Sequence, residues 1–262
     1  MTESFEDVYR ENYQRLFTLA FRITGSADEA EDVLQSAFLN AYRAYDKFRG
    51  DSSVHTWLYR IVVNAARKYA RGPQKLPVQQ YSEEQQIPEA EIYRHINRFG
   101  RVEDEAITNL TKETCLQMFM NCMPSKYRAV FTLRSILHCS VDETADILEV
   151  SREAVKTNLH RARQIIRDHM DGRCSLVKPG AFCDCRAYAA YLQQSGKAKT
   201  LLNITAIQNR ERQAVEEFRE EICDLLEIEK LYDTRIQPPD YTGFVQRIKA
   251  RAEDGSSKLL NY

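Results

Sequence analysis

The 262-residue chain is 43% hydrophobic and carries 37 basic against 38 acidic residues, a formal net charge of −1 at pH 7. This composition predicts a globular protein of one to three small domains and excludes a wholly disordered chain. No apolar run approaches the roughly 20 residues that a membrane-spanning helix needs, and the acidic N-terminus lacks the apolar core of a secretory signal. We therefore expect a cytoplasmic protein. In that compartment its seven cysteines are expected to be reduced, metal-bound or redox-active.

The near-neutral total hides three segments of unequal charge. Residues 43–71 carry seven basic side chains against two acidic ones, and residues 151–169 carry five against two. Residues 211–229 have the opposite sign, with eight carboxylates and two arginines. The two basic segments are candidates for contact with nucleic acid.

Helical spacing of apolar residues predicts three helices at the start of the chain. The first runs from about residue 6 to 23 and ends at Gly25. The second opens at Ser26-Ala-Asp-Glu29, which has the pattern of a capping box. A loop over 47–53 precedes the third helix, predicted from about 54 to 69.

A change in composition then marks a predicted linker. Residues 72–105 hold three prolines, five glutamines and few aliphatic side chains, so we expect at most a short helix there. Four more helices are predicted between residues 107 and 170. The tail from residue 171 begins with clustered cysteines and continues as amphipathic helix. The chain is thus predicted to be almost entirely helical.

The last two of those helices have the pattern of a helix-turn-helix. Ser140-Val-Asp-Glu143 is a second capping box, Glu149 and Val150 form the turn, and Ser151 caps the following helix. One face of that helix is apolar, and the other is polar and largely basic. Such a face is often merely solvated. The order of short helix, turn and capped helix favours insertion into the major groove of DNA.

Four stretches of sequence resemble the extracytoplasmic-function family of RNA polymerase sigma factors. Asp28–Tyr42 and Phe48–Ile61 are similar to region 2 of that family, and Pro124–Leu133 and Val155–Arg163 are similar to region 4. The resemblance covers about residues 5–170. It implies an all-α fold with two small helical domains joined by a linker, plus a helical C-terminal extension. The implied boundaries are 1–71 for region 2, 72–105 for the linker, 106–170 for region 4 and 171–262 for the extension.

The sequence departs from the family pattern in and before the turn. Glu149 stands where the family usually has glycine, which weakens the expectation of a left-handed residue there. His138-Cys139 replaces the more usual small or acidic residues.

The resemblance also implies site residues. The second helix would dock on core RNA polymerase, although its carboxylates could equally serve the helix dipole. The loop and third helix would hold the melted −10 element, with Trp57 more often a core residue than a base-stacking one. The helix after Ser151 would read the −35 element. The implied core polymerase residues are Asp28, Glu31, Asp32, Gln35 and Phe38. Those implied for the −10 element are Phe48, Arg49, His55, Thr56, Trp57, Arg60, Asn64 and Lys68. Those implied for the −35 element are Arg152, Lys156, Thr157, Asn158, His160, Arg161 and Arg163.

Clustered soft ligands follow the last of these helices. His169, Cys174, Cys183 and Cys185 could coordinate zinc or copper(I), or the thiols could be reduced and unligated. No cofactor is required by the predicted function. The remaining cysteines are predicted to be small core residues: Cys115, Cys122, Cys139 and Cys223.

Three classes of function remain open from the sequence. The favoured class is a sigma factor whose partners are core RNA polymerase and promoter DNA; whether it also has a separate anti-sigma factor stays open. The second is a repressor or activator that binds duplex DNA alone. An enzyme is disfavoured because no P-loop, GxSxG, HExxH or Rossmann glycine pattern is present. The acidic segment 211–229 could lie across the basic helix and inhibit it, or the tail could be purely structural.

Overall fold

The structure is a computed structural model, and it describes residues 5–69, 71–195, 241 and 243. Over these residues the chain is helical apart from one isolated β-bridge between Cys174 and Cys183, so the predicted all-α fold is confirmed. No described helix is both long and apolar enough to cross a membrane. The α-helices in the described ranges are α1 Phe5–Thr24, α2 Ala27–Tyr45, α3 Val54–Ala66, α4 Pro77–Gln85, α5 Glu89–Ile96, α6 Glu105–Asn121, α7 Ser125–Phe131, α8 Val141–Leu148, α9 Arg152–Met170 and α10 Cys185–Gln194.

Helices α1 to α3 pack together as a first bundle. Helix α1 is buried on nearly all sides and ends at Gly25, whose φ of +82° suits glycine. The Ser26 hydroxyl accepts a hydrogen bond from the Glu29 amide, as predicted. The Glu29 carboxylate does not return to the Ser26 backbone and pairs with Arg71 instead. Only half of the predicted capping box therefore forms, because a guanidinium offers the carboxylate a charged donor.

The linker segment, residues 72–105, is more ordered than the sequence predicts. It contains α4, α5 and a 3-10 turn over Asn97–Phe99. Pro77 occupies the first turn of α4, where its missing N–H is no loss. Tyr93 and Ile96 give α5 a buried face. These helices are short, so their stability has to come from packing against neighbouring elements.

Helices α6 to α9 form a second bundle. Helix α7 continues into a π-helical turn over Thr132–Ile136, and α8 opens with both bonds of the predicted capping box. Ser140 Oγ accepts from the Glu143 amide at 3.1 Å, and Glu143 Oε2 accepts from the Ser140 amide at 2.7 Å. Helix α9 is capped by Ser151 and buries one apolar stripe. The predicted helix-turn-helix is thus present.

The two bundles share one continuous apolar core, which the sequence did not predict. Arginines span the boundary between them. Arg22 on α1 is fully buried and donates to Glu113 Oε2 at 2.9 Å and to Gln117 Oε1 at 3.0 Å on α6. Arg15 donates to the Leu137 carbonyl at 2.8 Å. From the other side, buried Arg128 donates to the Arg71 carbonyl at 2.6 Å.

Candidate nucleic-acid interface and thiol cavity

The polar face of α9 stands largely open to solvent. Val155, Leu159 and Ile166 hold the opposite face in the core. Of the residues predicted for the −35 element, the structure places Arg152, Lys156, Thr157, His160 and Arg161 on the exposed face, and Asn158 and Arg163 deeper, at half-buried positions. A capped helix with a buried apolar spine and exposed cations is suited to the major groove.

Arg152 and Arg161 contact protein partners at the ends of the face. The Arg152 guanidinium lies 2.8 Å from Asp142 on α8, and both side chains are well exposed. Arg161 donates to the Tyr127 hydroxyl at 3.3 Å, and this hydrogen bond lowers the pKa of Tyr127. Exposed pairs of this kind are weak, so both arginines can exchange their partners for phosphate.

The turn before α9 contains a left-handed residue. Glu149 has φ +57° and ψ +47°, and its amide donates to the Ala145 carbonyl. The sequence-based doubt about such a residue was therefore wrong. The α8 to α9 connection imposes the left-handed conformation although glutamate pays a steric penalty that glycine escapes.

The residues predicted for the −10 element differ in their exposure to solvent. The structure leaves Arg49 exposed in the loop, His55 and Asn64 exposed on α3, and Lys68 exposed in the turn after α3. Thr56 is buried, and its hydroxyl lies 2.9 Å from Ser53 Oγ in the helix cap, away from the exposed face. Trp57 is partly buried against the core, and its ring centroid is 5.2 Å from that of Phe48. The contact between the two rings thus packs the loop over 47–53 against α3.

Two arginines of α3 and its last turn bind the end of α8. Arg60 Nε donates to the Asp146 carbonyl at 3.1 Å, and Arg67 donates to the Leu148 carbonyl at 3.4 Å. Arg67 also holds Asn64 Oδ1 at 2.9 Å. These carbonyls belong to the last turn of a helix, where the backbone carries partial negative charge. Arg67 was not among the predicted site residues, and nothing in local sequence distinguishes it from a solvated arginine.

The predicted polymerase face of α2 combines carboxylates with aromatic rings. Asp28 and Asp32 are exposed, while Glu31 and Gln35 are partly buried. Phe38 packs among aromatic neighbours and stacks on Tyr42, with centroids 6.3 Å apart. Tyr42 is 58% exposed and extends this surface. Sequence analysis missed it, although the spacing of four residues from Phe38 indicates a shared helix face.

Four cysteines line one largely apolar cavity of about 50 Å³. Cys174, Cys183 and Cys185 come from the tail, and Cys115 comes from α6. His169 also lines the cavity, with its ring stacked on Phe119 at 6.2 Å. Cys115 was predicted to be an ordinary core residue, so this grouping was missed. In the present side-chain arrangement, no three metal-binding side chains of the described residues are close enough to hold an ion.

The cavity holds its thiols in the neutral form. Burial, followed by the nearby thiols of Cys183, Cys185 and Cys174, raises the pKa of Cys115 well above its usual value. Burial also raises the pKa of Cys174, and it raises that of Cys185 to about 12. At His169, burial and the neighbouring Arg173 lower the pKa. Neutral thiols in an apolar cavity are unreactive unless a cation displaces their protons.

The described part of the tail packs against the linker segment. Arg173 forms a two-bond pair with Glu89 on α5, at 2.7 and 3.3 Å. Arg101 lies 3.1 Å from Asp184. Backbone and amide hydrogen bonds add to these pairs: Asn97 Nδ2 to the Phe182 carbonyl, the Val102 amide to the Arg186 carbonyl, and Gln194 Nε2 to the Phe99 carbonyl. These contacts explain why the linker helices form.

Later parts of the tail are described at Tyr241 and Gly243 only. The Tyr241 ring lies 5.2 Å from that of Tyr13 on α1, and its hydroxyl donates to the Glu6 carbonyl at 3.4 Å. The acidic segment 211–229 and Cys223 lie outside the described residues. The predicted contact between that segment and α9 therefore stays a prediction.

Comparison with known proteins identifies the family. The sequence profile of Sigma-70 region 2 matches residues 8–75, and that of Sigma-70 region 4 matches residues 113–166. The chain is 30% identical over 171 residues to the ECF RNA polymerase sigma factor SigW of Bacillus subtilis, covering 64% of this chain and 89% of that protein. It is 33% identical over 154 residues to the ECF RNA polymerase sigma-E factor of Escherichia coli, covering 58% and 78% respectively.

A solved structure matches at a lower level. It is the sigma factor RpoE in its co-crystal with the anti-sigma factor NepR from Bartonella quintana, with a TM-score of 0.40 and 17% identity over 62% of this chain and 96% of that one. Family membership rests on the sequence matches, which cover most of each relative and both sigma regions in the expected order. The chain therefore belongs to the extracytoplasmic-function family of RNA polymerase sigma factors.

Proposed function

We propose that this sigma factor divides promoter recognition among three helical surfaces. Helix α2 holds core RNA polymerase, the loop before α3 and the α3 face hold the melted −10 element, and α9 reads the −35 element. The observation that carries the proposal is α9 itself. It is a capped helix with a buried spine and exposed cations, set by a helix-turn-helix, and it lies inside the matched region 4. No step of this function requires catalysis by the chain itself.

The arrangement of α3 and α9 supports a change of shape during initiation. Elements at −10 and −35 are centred about 25 base pairs apart, which is roughly 85 Å along the duplex at ~3.4 Å per pair. Helix α8 contacts both α3 and α9, so these two helices lie within about two interhelical spacings, roughly 20 Å. One chain in this closed form cannot reach both elements. The two bundles have to separate when the sigma factor binds polymerase and promoter.

The linker segment is long enough for that separation. Its 34 residues could span up to about 110 Å if fully extended. In the closed form it is instead folded into α4 and α5 and held by the tail. We propose that the tail regulates initiation by controlling the release of the linker segment. The proposal places this activity in the cytoplasm, where core polymerase and promoter DNA are found.

The tail cysteines extend this proposal to a metal. Cys174, Cys183 and Cys185 line one cavity although nine positions separate Cys174 from Cys183, and thiols are ligands for zinc and copper(I). We propose that they bind a thiophilic metal as a regulatory ligand. Promoter recognition by the three surfaces does not depend on it.

Polymerase binding gives the most direct test. Asp32→Lys combined with Gln35→Ala changes two side chains on the proposed docking face while leaving the buried positions of α2 intact. We expect affinity for core polymerase to fall about tenfold or more, since ~1.4 kcal/mol is enough for that loss. The matched control is Glu11→Lys, a charge reversal at an exposed position of α1. Co-elution with core polymerase that is the same for both variants and the wild type would contradict the assignment of α2.

A further inference from the structure

The cavity lined by cysteines joins parts of the chain that lie far apart in sequence. Cys115 sits within α6, in the second bundle, whereas the other three thiols belong to the tail. The volume of the cavity, about 50 Å³, exceeds the ~10–15 Å³ that one water requires. There is room for an ion among the sulfurs.

We infer that a single soft metal cation of low charge binds in this cavity as a two-thiolate complex, with one thiolate from Cys115 of α6 and one from the tail thiols Cys174, Cys183 and Cys185. The inference rests on the proposed metal-binding role of the tail cysteines. It adds Cys115 as a ligand from α6 and names the class of metal. Each thiol that coordinates the cation loses its proton to solvent, and the oxidation state of the metal does not change.

The backbone around the tail thiols is already fixed. The Ser175 amide donates to the Cys183 carbonyl at 3.0 Å, and the Cys183 amide donates to the Arg173 carbonyl at 2.8 Å. Asp184 has extended dihedral angles and caps α10, so the side chains before and after it point to the same side. A χ1 rotation moves a cysteine sulfur between staggered positions, so we expect metal binding to reorient the thiol side chains toward one another.

The surroundings favour a cation of low charge. The wall of the cavity includes Leu76, Val78 and Phe119, so a strongly charged complex would be poorly solvated there. Four thiolates around zinc leave a net charge of −2, whereas two thiolates around copper(I) leave −1. Met118 adds a thioether to the wall, and thiolate with thioether is a ligand set suited to copper(I). Lys112 and Arg173 also line the cavity and can offset the remaining negative charge.

A bound ion would tie three segments together. The same cavity is lined by residues at the start of α4 and by Tyr93 of α5, both in the linker segment. A cation held by Cys115 on one side and by the tail thiols on the other would therefore lock the linker segment between α6 and the tail. Its loss would loosen the segment that has to extend when the bundles separate.

Copper(I) binding by the full-length reduced chain tests the ligand set. Copper(I) is supplied without oxygen in competition with a chromophoric chelator, to wild type and to three variants: Cys115→Ser, Cys183→Ser with Cys185→Ser, and Cys122→Ser. Cys122 is the matched control, because it lies at the end of the same helix, half-buried, and its thiol donates to the Met118 carbonyl. Far-UV circular dichroism establishes that each variant is folded.

We expect one copper(I) per wild-type chain and no change for Cys122→Ser. Cys115→Ser should weaken binding at least about tenfold, since even changes behind a ligand cost ~10–100-fold. Wild-type affinity in Cys115→Ser, with binding lost in the double tail variant, would overturn the inference and leave the tail site standing. Absence of binding by wild type would overturn both. A wild-type chain that takes up zinc with four sulfurs and does not bind copper(I) would overturn the metal class. Core polymerase binding, measured on the same samples, reports separately on the sigma function.

Discussion

The two helices that would face promoter DNA differ in what their cations contact. Arg60 of α3 and Arg67 in its last turn donate to carbonyls at the C-terminal end of α8. On α9, Arg152, Lys156 and Arg161 are exposed, and Arg152 pairs with Asp142 at the other end of α8. Helix α8 thus leads through the turn into α9 and also accepts hydrogen bonds from the arginines of α3. In the proposed function, α9 could therefore meet duplex DNA in the closed form, whereas the face of α3 would become fully available only after it leaves α8.

The strength of the closed form depends on which contacts hold it. Hydrogen bonds from charged donors contribute ~1.5–3 kcal/mol at most, and less at partly exposed positions such as Arg60. Arg22 is different because it is fully buried between α1 and α6. We therefore expect the α3 contacts to tune the opening of the bundles and Arg22 to hold the closed form.

Removing the Arg22 charge should have the largest effect on stability. In Arg22→Met, a side chain of similar length leaves the Glu113 carboxylate, which is largely buried, without its guanidinium. Breaking one partner of a buried pair costs ~3–5 kcal/mol. We expect a loss of that order in the free energy of unfolding, measured with urea.

The control for this prediction lies on the same helix. Arg10 pairs with Asp7 three residues away, and both side chains are about half exposed. Arg10→Met should change the unfolding free energy by less than ~0.5 kcal/mol. Equal effects of the two substitutions would show that the contact between the bundles adds nothing to stability.

Two alanine substitutions, one at the end of α3 and one on α9, should have different effects. Arg67→Ala removes a contact between the bundles, so the free chain should expand, with the separated population rising about fivefold for each ~1 kcal/mol lost. Lys156→Ala leaves the free chain unchanged. It should weaken promoter binding evenly across sequences and reduce the salt slope by about 1. Small-angle X-ray scattering of the free chain and promoter titrations with holoenzyme measure the two effects.

Results in which the two helices behave alike would contradict this comparison. If Arg67→Ala leaves the radius of gyration unchanged, or if Lys156→Ala expands the chain, the two helices do not differ as the contacts indicate. A salt slope that is unaltered in Lys156→Ala would remove α9 from the phosphate contacts.

Sequence patterns were sufficient for several features whose signal is local. The Ser140–Glu143 box and the apolar spine of α9 each lie within a few turns of chain, and both were predicted correctly. Contacts between residues far apart in the sequence were not predicted. Arg22 has the same local pattern as a solvated arginine, and only the packing of α6 against α1 makes it a buried one.

The linker segment and Cys115 show the same limit. Helices α4 and α5 have weak signals of their own and form against partners in the tail, such as Arg173. Cys115 has the spacing of a small core residue on α6. Its three thiol neighbours lie at least 59 residues further along the chain, where no helical or strand periodicity could connect them.

The smallest expected effect concerns the turn that sets α9 on α8. Glu149 is left-handed, with φ +57°, and a residue with a Cβ pays ~1–2 kcal/mol there. Glycine avoids this penalty but adds ~0.4–1 kcal/mol of chain entropy to the unfolded state. Glu149→Gly should therefore raise the free energy of unfolding by about 0.5–1 kcal/mol without altering promoter binding. Glu153→Gly is the matched control, because Glu153 lies in the first turn of α9 with ordinary helical geometry, where glycine destabilises by ~1 kcal/mol. Opposite signs for the two substitutions in urea unfolding would confirm that the turn is strained; a loss of stability in both would show that the left-handed residue carries no such penalty.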